Sequence, residues 1–165
     1  IVVPRGGKFH PELAKSNNVP LKLWSRLQKG ETIELDGITY TPDMVIGPPR
    51  KGIKLTYCTD TRPVQNLINN AADSDLLICE GMYGEKDKKQ KAVENKHMLF
   101  TEAANVAKKA GVSELWLTHY SPSLLRPDEY MKPVRKIFAN TYAGKDRMSR
   151  TLEFQDESAN ETTDK

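Results

Sequence analysis

Gly52-Ile53-Lys54-Leu55-Thr56-Tyr57-Cys58-Thr59-Asp60-Thr61-Arg62-Pro63 is the stretch on which the fold turns. Ile53, Leu55 and Tyr57 alternate with Lys54 and Thr56, the period of a strand with one buried face. Pro63 is predicted to open a helix from its first position. Asp60 then lies where a strand gives way to a helix, the rim at which open α/β sheets bind ligands. A plainer alternative stands beside this one: Asp60, Thr59 or Thr61 caps the helix.

Outward from this stretch the chain alternates. Val64–Ala72 places Val64, Leu67, Ile68 and Ala71 on one helical face, and Asp75–Cys79 is a short apolar run fitting a strand covered on both sides. Thr101–Ala110 reads as a helix ended by Gly111. Glu114–Leu117 reads as a second buried strand, running into Thr118-His119-Tyr120-Ser121-Pro122. Gly81–Lys96 is polar and lysine-rich, a loop with some helix. Pro127–Phe138 is predicted as a last helix kinked at Pro133, with closing strands at Asn140–Ala143 and Met148–Phe154. Such alternation indicates an α/β fold with a mainly parallel sheet. Upstream, Ile1–Gly7 reads as a strand end and turn, and His10–Ser16 and Leu21–Gln28 as short helices. Thr32–Leu35 and Ile38–Thr41 flank Asp36-Gly37, a strong hairpin signal.

The 165 residues are 38% hydrophobic and 28% charged, the composition of one soluble domain or part of one. No apolar run approaches the roughly 20 residues that cross a bilayer, and Pro4, Arg5, Gly6 and Gly7 interrupt any leader-like segment. Cys58 and Cys79 read as small packing residues rather than a disulfide, which points to the cytoplasm. The net charge is +3, and because the tail at 155–165 contributes −3, the remaining body is +6. A basic body suits a polyanion such as RNA but does not by itself specify one. The polar tail is expected to be disordered.

Four motifs occur in order: Trp24-Ser25-Arg26-Leu27-Gln28-Lys29-Gly30, Gly47-Pro48-Pro49-Arg50-Lys51-Gly52, Tyr57-Cys58-Thr59-Asp60-Thr61-Arg62-Pro63 and Leu117-Thr118-His119-Tyr120-Ser121-Pro122. Together, residues 1–154 resemble the C-terminal part of the ribonuclease Z family of the metallo-β-lactamase superfamily. The resemblance implies half of an αββα sandwich with a mixed sheet flanked by helices, and two zinc ions in the complete enzyme. It implies that Asp60 bridges the metals, that His119 binds one of them, and that His97 protonates the departing ribose oxygen. These residue types suit that chemistry: carboxylate and neutral imidazole are zinc donors, and histidine titrates near neutrality. Arg50, Lys51 and Arg62 are the candidate substrate-binding residues. Read without the motifs, His119 is a buried structural histidine, His97 an exposed residue at a helix start, and His10 a surface residue.

The chain departs from the family pattern at three places. Met98-Leu99 follow His97 where the family has Ser-Thr, Ser123-Leu124 replace a polar group, and no His-x-His-x-Asp-His motif is present. Beginning at Ile1, the chain is therefore expected to be the second half of an enzyme that removes 3′ trailers from precursor tRNA, inactive alone. A missing N-terminal half or a second chain is the expected partner, and an uncovered apolar face implies self-association. Two rival readings are half of another hydrolase of this superfamily, acting on cyclic nucleotides or aryl sulfates, and a non-catalytic fragment that binds RNA or a partner.

Overall fold

A computed structural model describes residues 1–155; all of the 155–165 tail except Gln155 lies outside the described residues. The described residues form two compact units: residues 1–3 with 53–153, and residues 4–52 with Phe154 and Gln155. The strands are β1 (Val2–Arg5), β2 (Ile33–Leu35), β3 (Ile38–Tyr40), β4 (Arg50–Cys58), β5 (Leu76–Glu80), β6 (Leu115–Thr118) and β7 (Thr141–Ala143). The helices are α1 (Pro11–Ser16), α2 (Trp24–Gln28), α3 (Gln65–Ala71), α4 (Lys89–Glu94), α5 (Phe100–Ala110) and α6 (Met131–Ile137). None of them is long and apolar enough to cross a membrane.

The larger unit is organised by a sheet of order β1-β4-β5-β6-β7. β4, β5, β6 and β7 run parallel. Ile1 and Leu55 exchange both backbone hydrogen bonds, at 2.8 and 2.9 Å, the pattern of an antiparallel pair. The sheet is therefore mixed and flanked by helices, as expected.

Register sorts its side chains into rows. Cys58, Cys79, Leu117 and Ala143 align across four strands and enter the core beneath α5, with Phe100, Ala103 and Ala107 wholly buried against them. Both thiols are free. One position back, Tyr57, Ile78, Trp116 and Tyr142 form a second row. Strand alternation puts this row on the other face, where Tyr57 is 65% and Tyr142 41% exposed. Gly111 ends α5 in the left-handed conformation at φ 64°.

In the smaller unit α1, α2 and the β2–β3 hairpin surround Ala14, Leu23, Leu27, Ile33 and Val45. Phe9 and Trp24 pack with ring centroids 5.3 Å apart, and Trp24 Nε1 donates to the Val19 carbonyl at 3.0 Å. Asp36 and Gly37 both have positive φ, 53° and 76°, as a two-residue primed turn requires.

Three expectations need correction. Pro63 does not open α3: the N-cap is Val64 in extended conformation with no side-chain cap, so neither Asp60 nor its threonine neighbours cap that helix. Thr61 and Arg62, just before it, are instead bound by acids elsewhere in the unit, as described below. The region 127–138 is a 3-10 turn, Pro127–Tyr130, followed by α6. Pro133 falls in the first turn of α6, where a missing N–H costs nothing. Met148–Phe154 is not a strand. Arg147 at φ 65° turns the chain, and Arg150 reaches Glu114 at 3.4 Å instead of extending the sheet.

Because Gly37 sits at φ 76°, Gly37→Ala should lower stability by about 1 kcal/mol. Denaturant unfolding followed by tryptophan fluorescence measures this.

Candidate metal centre

Parallel order brings the C-terminal ends of β4, β5 and β6 side by side, and backbone hydrogen bonds gather the loops that follow. Gly81 N–H donates to the Thr118 carbonyl at 2.8 Å, and Ser121 N–H to Met82 at 2.9 Å. These two bonds bracket His119, which is held at φ 58°. Met82 N–H donates to Met98 at 3.1 Å and Phe100 N–H to Tyr83 at 2.9 Å, drawing in the segment that carries His97. Tyr120 fastens the same corner, its hydroxyl 2.6 Å from the Leu117 carbonyl and 3.1 Å from that of Gly144. Burial pushes the Tyr120 pKa up, so it remains a donor.

Asp60, His97 and His119 converge so that one ligand atom from each lies within 4.8 Å of the others. Asp60 Oδ1 is 3.4 Å from His119 Nε2, and the two imidazole centroids are 5.3 Å apart. The His119 side chain is 39% exposed, that of Asp60 62% and that of His97 16%. His119 is therefore not a buried structural histidine, and His97 is not a free surface group.

Beneath this cluster lies Glu80, wholly buried. One of its oxygens accepts the Thr61 N–H. The other accepts the Met98 N–H at 3.0 Å, and both lie 3.3 Å from His97 Nδ1. A carboxylate here fixes the hydrogen on Nδ1 and leaves Nε2 for the cluster. Arg62 makes a second clamp. Its terminal nitrogens grip Glu102 at 2.5 and 2.8 Å, and one of them also donates to the His97 carbonyl at 2.5 Å. Glu102 in turn accepts the Leu99 N–H at 2.9 Å at the head of α5. Burial pushes the Glu102 pKa up, but the Arg62 hydrogen bonds, the Leu99 N–H and the Arg62 charge outweigh it and hold it below the usual range.

Of the basic residues singled out from the motifs, Arg62 is thus committed to the protein's own acceptors. Arg50 and Lys51 belong to the smaller unit, where Arg50 Nε donates to the Gly6 carbonyl at 3.0 Å. His10 is in that unit too, and exposed. Sequence reasoning missed Glu80 and Glu102. The available signal was a single acid closing an apolar run, Leu76-Leu77-Ile78-Cys79-Glu80.

The donor set of one carboxylate and two imidazoles fits a divalent metal ion of zinc type. A family model described as the beta-lactamase superfamily domain matches residues 19–120, which include all three residues of the cluster. The chain belongs to that family, whose fold suggests metal binding, and the cluster is a possible three-residue metal site.

Within it, the ribonuclease Z of Lachnoclostridium phytofermentans is 67% identical over 154 residues, 93% of this chain and 51% of that protein. The ribonuclease Z of Agathobacter rectalis is 57% identical over 157 residues, 95% of this chain and 52% of that protein. The chain thus spans about half the length of the curated relatives it matches. Among solved structures, the metallo-beta-lactamase fold protein YhfI from Bacillus subtilis gives a TM-score of 0.48 at 29% identity, over 55% of this chain and 36% of that one.

Two outcomes follow from the geometry. His119 occupies left-handed backbone, so His119→Gly should be more stable than His119→Ala by about 1 kcal/mol, measured by chemical denaturation without metal. The depressed Glu102 pKa contributes stability that is present above the ordinary glutamate range and lost as pH falls through the folded value. The melting-temperature gap between the natural chain and Glu102→Gln should accordingly be widest near neutrality and close in acid.

Proposed function

We propose that this chain forms part of a zinc-dependent endoribonuclease of the ribonuclease Z type, which removes 3′ trailers from precursor tRNA. The observation that carries this reading is the convergence of Asp60, His97 and His119 above the buried Glu80, in a chain whose relatives bear that name. Asp60 and His119 would hold metal. Zinc bound there supplies a water of lowered pKa and offsets charge on the scissile phosphate.

The remaining steps belong to the protein. His97 Nε2 gives a proton to the ribose 3′ oxygen as its bond to phosphorus breaks, leaving a 3′-hydroxyl on the tRNA and a phosphate on the trailer. Glu80 accepts the Nδ1–H and so keeps the ring oriented with Nε2 toward the cluster. The Arg62–Glu102 clamp holds the His97 backbone while the side chain cycles. Asp60 and His119 fall short of the four donors that close a structural site, so a pair of metals needs further donors, and the isolated chain should bind zinc weakly and cut slowly or not at all. The row Tyr57, Ile78, Trp116 and Tyr142 is the apolar face against which a second sheet would pack.

In the full natural chain, Asp60→Asn should lower precursor cleavage by several orders of magnitude while the fold persists. Glu80→Gln should cost 10- to 100-fold, the usual effect of a group supporting a ligand or acid from behind. Near-normal cleavage and zinc content in folded Asp60→Asn would overturn the reading. If the exposed tyrosines of this row seek a partner, the isolated chain should associate on sedimentation, and Tyr57→Lys with Tyr142→Lys should render it monomeric.

A further inference from the structure

Beside the metal centre lies a groove of about 540 Å³ that the mechanism above does not use. Leu99, Pro133 and Ile137 give it apolar walls, and Lys86, Lys89 and Lys136 stand around it. These lysines come from separate places: the 3-10 turn Lys86–Lys88, the first residue of α4, and α6. All three are exposed, and none has an acid within ion-pair distance among the described residues. Lys91, by contrast, is occupied over the Tyr83 ring at 5.8 Å.

The one carboxylate that lines the groove is Glu102, and its charge is taken by the two-pronged pair with Arg62. Lys89 also feels the Glu102 charge, but one carboxylate already paired with Arg62 leaves three ammonium groups in one concavity with an excess of positive charge, an arrangement that an anion stabilises. The groove is also tied to the reacting corner: Glu102 and the His97 carbonyl bind the same arginine.

We propose that this groove holds backbone phosphates of the RNA on one side of the scissile bond. The inference rests on the nuclease reading of the preceding section and adds where the polyanion runs. Lysine ammoniums are flexible point charges suited to phosphates along a chain. The walls accept ribose and base edges, but no aromatic ring lines the groove to stack a base. The contact reads the backbone and not the sequence. A flexible acidic peptide is the other polyanion that could seek such lysines, and the proximity to His97 favours phosphodiester over carboxylate.

The test uses the full natural chain in chelator-containing buffer, so that binding is read without cleavage. Fluorescence anisotropy with a labelled tRNA bearing a 3′ trailer is followed across salt concentrations. Lys86→Ala/Lys89→Ala/Lys136→Ala should bind about tenfold more weakly or worse at low salt, and the slope of log affinity against log salt should fall by about 2, three single-strand phosphate contacts at roughly 0.7 each. The matching triple change to arginine should bind like the natural protein.

Unchanged affinity and slope in a folded alanine variant would overturn the proposal. So would polyglutamate displacing the RNA as readily as unlabelled RNA does, with the same dependence on the lysines. A cleavage assay on the natural protein separates the two readings. Groove-dependent binding without cleavage defeats only the nuclease reading, and cleavage with groove-independent binding defeats only this one.

Discussion

Glu80 is a carboxylate with no exposed surface, and a buried charge is tolerated only when its oxygens are fully engaged. Here the partners are the Thr61 N–H, the Met98 N–H and His97 Nδ1. One group comes from the loop after β4, and the other two from the segment before α5. Satisfying this one side chain therefore sets the separation of the two loops that deliver Asp60 and His97. Removing it would leave two backbone donors without acceptors, as well as an unsupported imidazole.

The third loop is placed by backbone hydrogen bonds, with the Tyr120 hydroxyl fastening the same corner. His119 lies between the Gly81–Thr118 and Ser121–Met82 hydrogen bonds, and the left-handed turn at φ 58° is the consequence. Strain of this kind, of order 1–3 kcal/mol, survives where surrounding contacts over-determine a residue, and such places cluster at functional sites. The parallel sheet supplies the rest, since it ends β4, β5 and β6 on one edge. The arrangement holds a polar, partly exposed cluster above a dry floor of Cys79, Leu117 and Phe100.

Much of this was readable in the residues themselves. The alternation of Ile53, Leu55 and Tyr57, the apolar run at Leu76, and the Asp36-Gly37 turn signal their elements by periodicity and turn chemistry. Asp60 and His119 could be placed because each follows a strand, and the family motifs around them added a chemical role. Glu80 was not readable in the same way. A single acid after an apolar run looks like a strand reaching solvent, and only tertiary contacts reveal that it turns back under two loops. Arg62 shows the complementary limit: a basic residue in a motif invites a substrate reading, and its pairing with Glu102, forty positions away, was invisible in the sequence. Pro63 and Met148–Phe154 were misjudged because local preference was overridden by such long-range bonds.

The chain has three histidines, which allows a direct test of whether Asp60, His97 and His119 act as one centre. Imidazole ¹H–¹⁵N correlation spectra recorded during a zinc titration report each ring separately. The expected result is that the His119 and His97 resonances move together and saturate at one stoichiometry, that His10 stays in place, and that Asp60→Asn abolishes the movement. Zinc that leaves His97 and His119 unmoved, or that shifts all three rings alike without saturation, would contradict the existence of the centre.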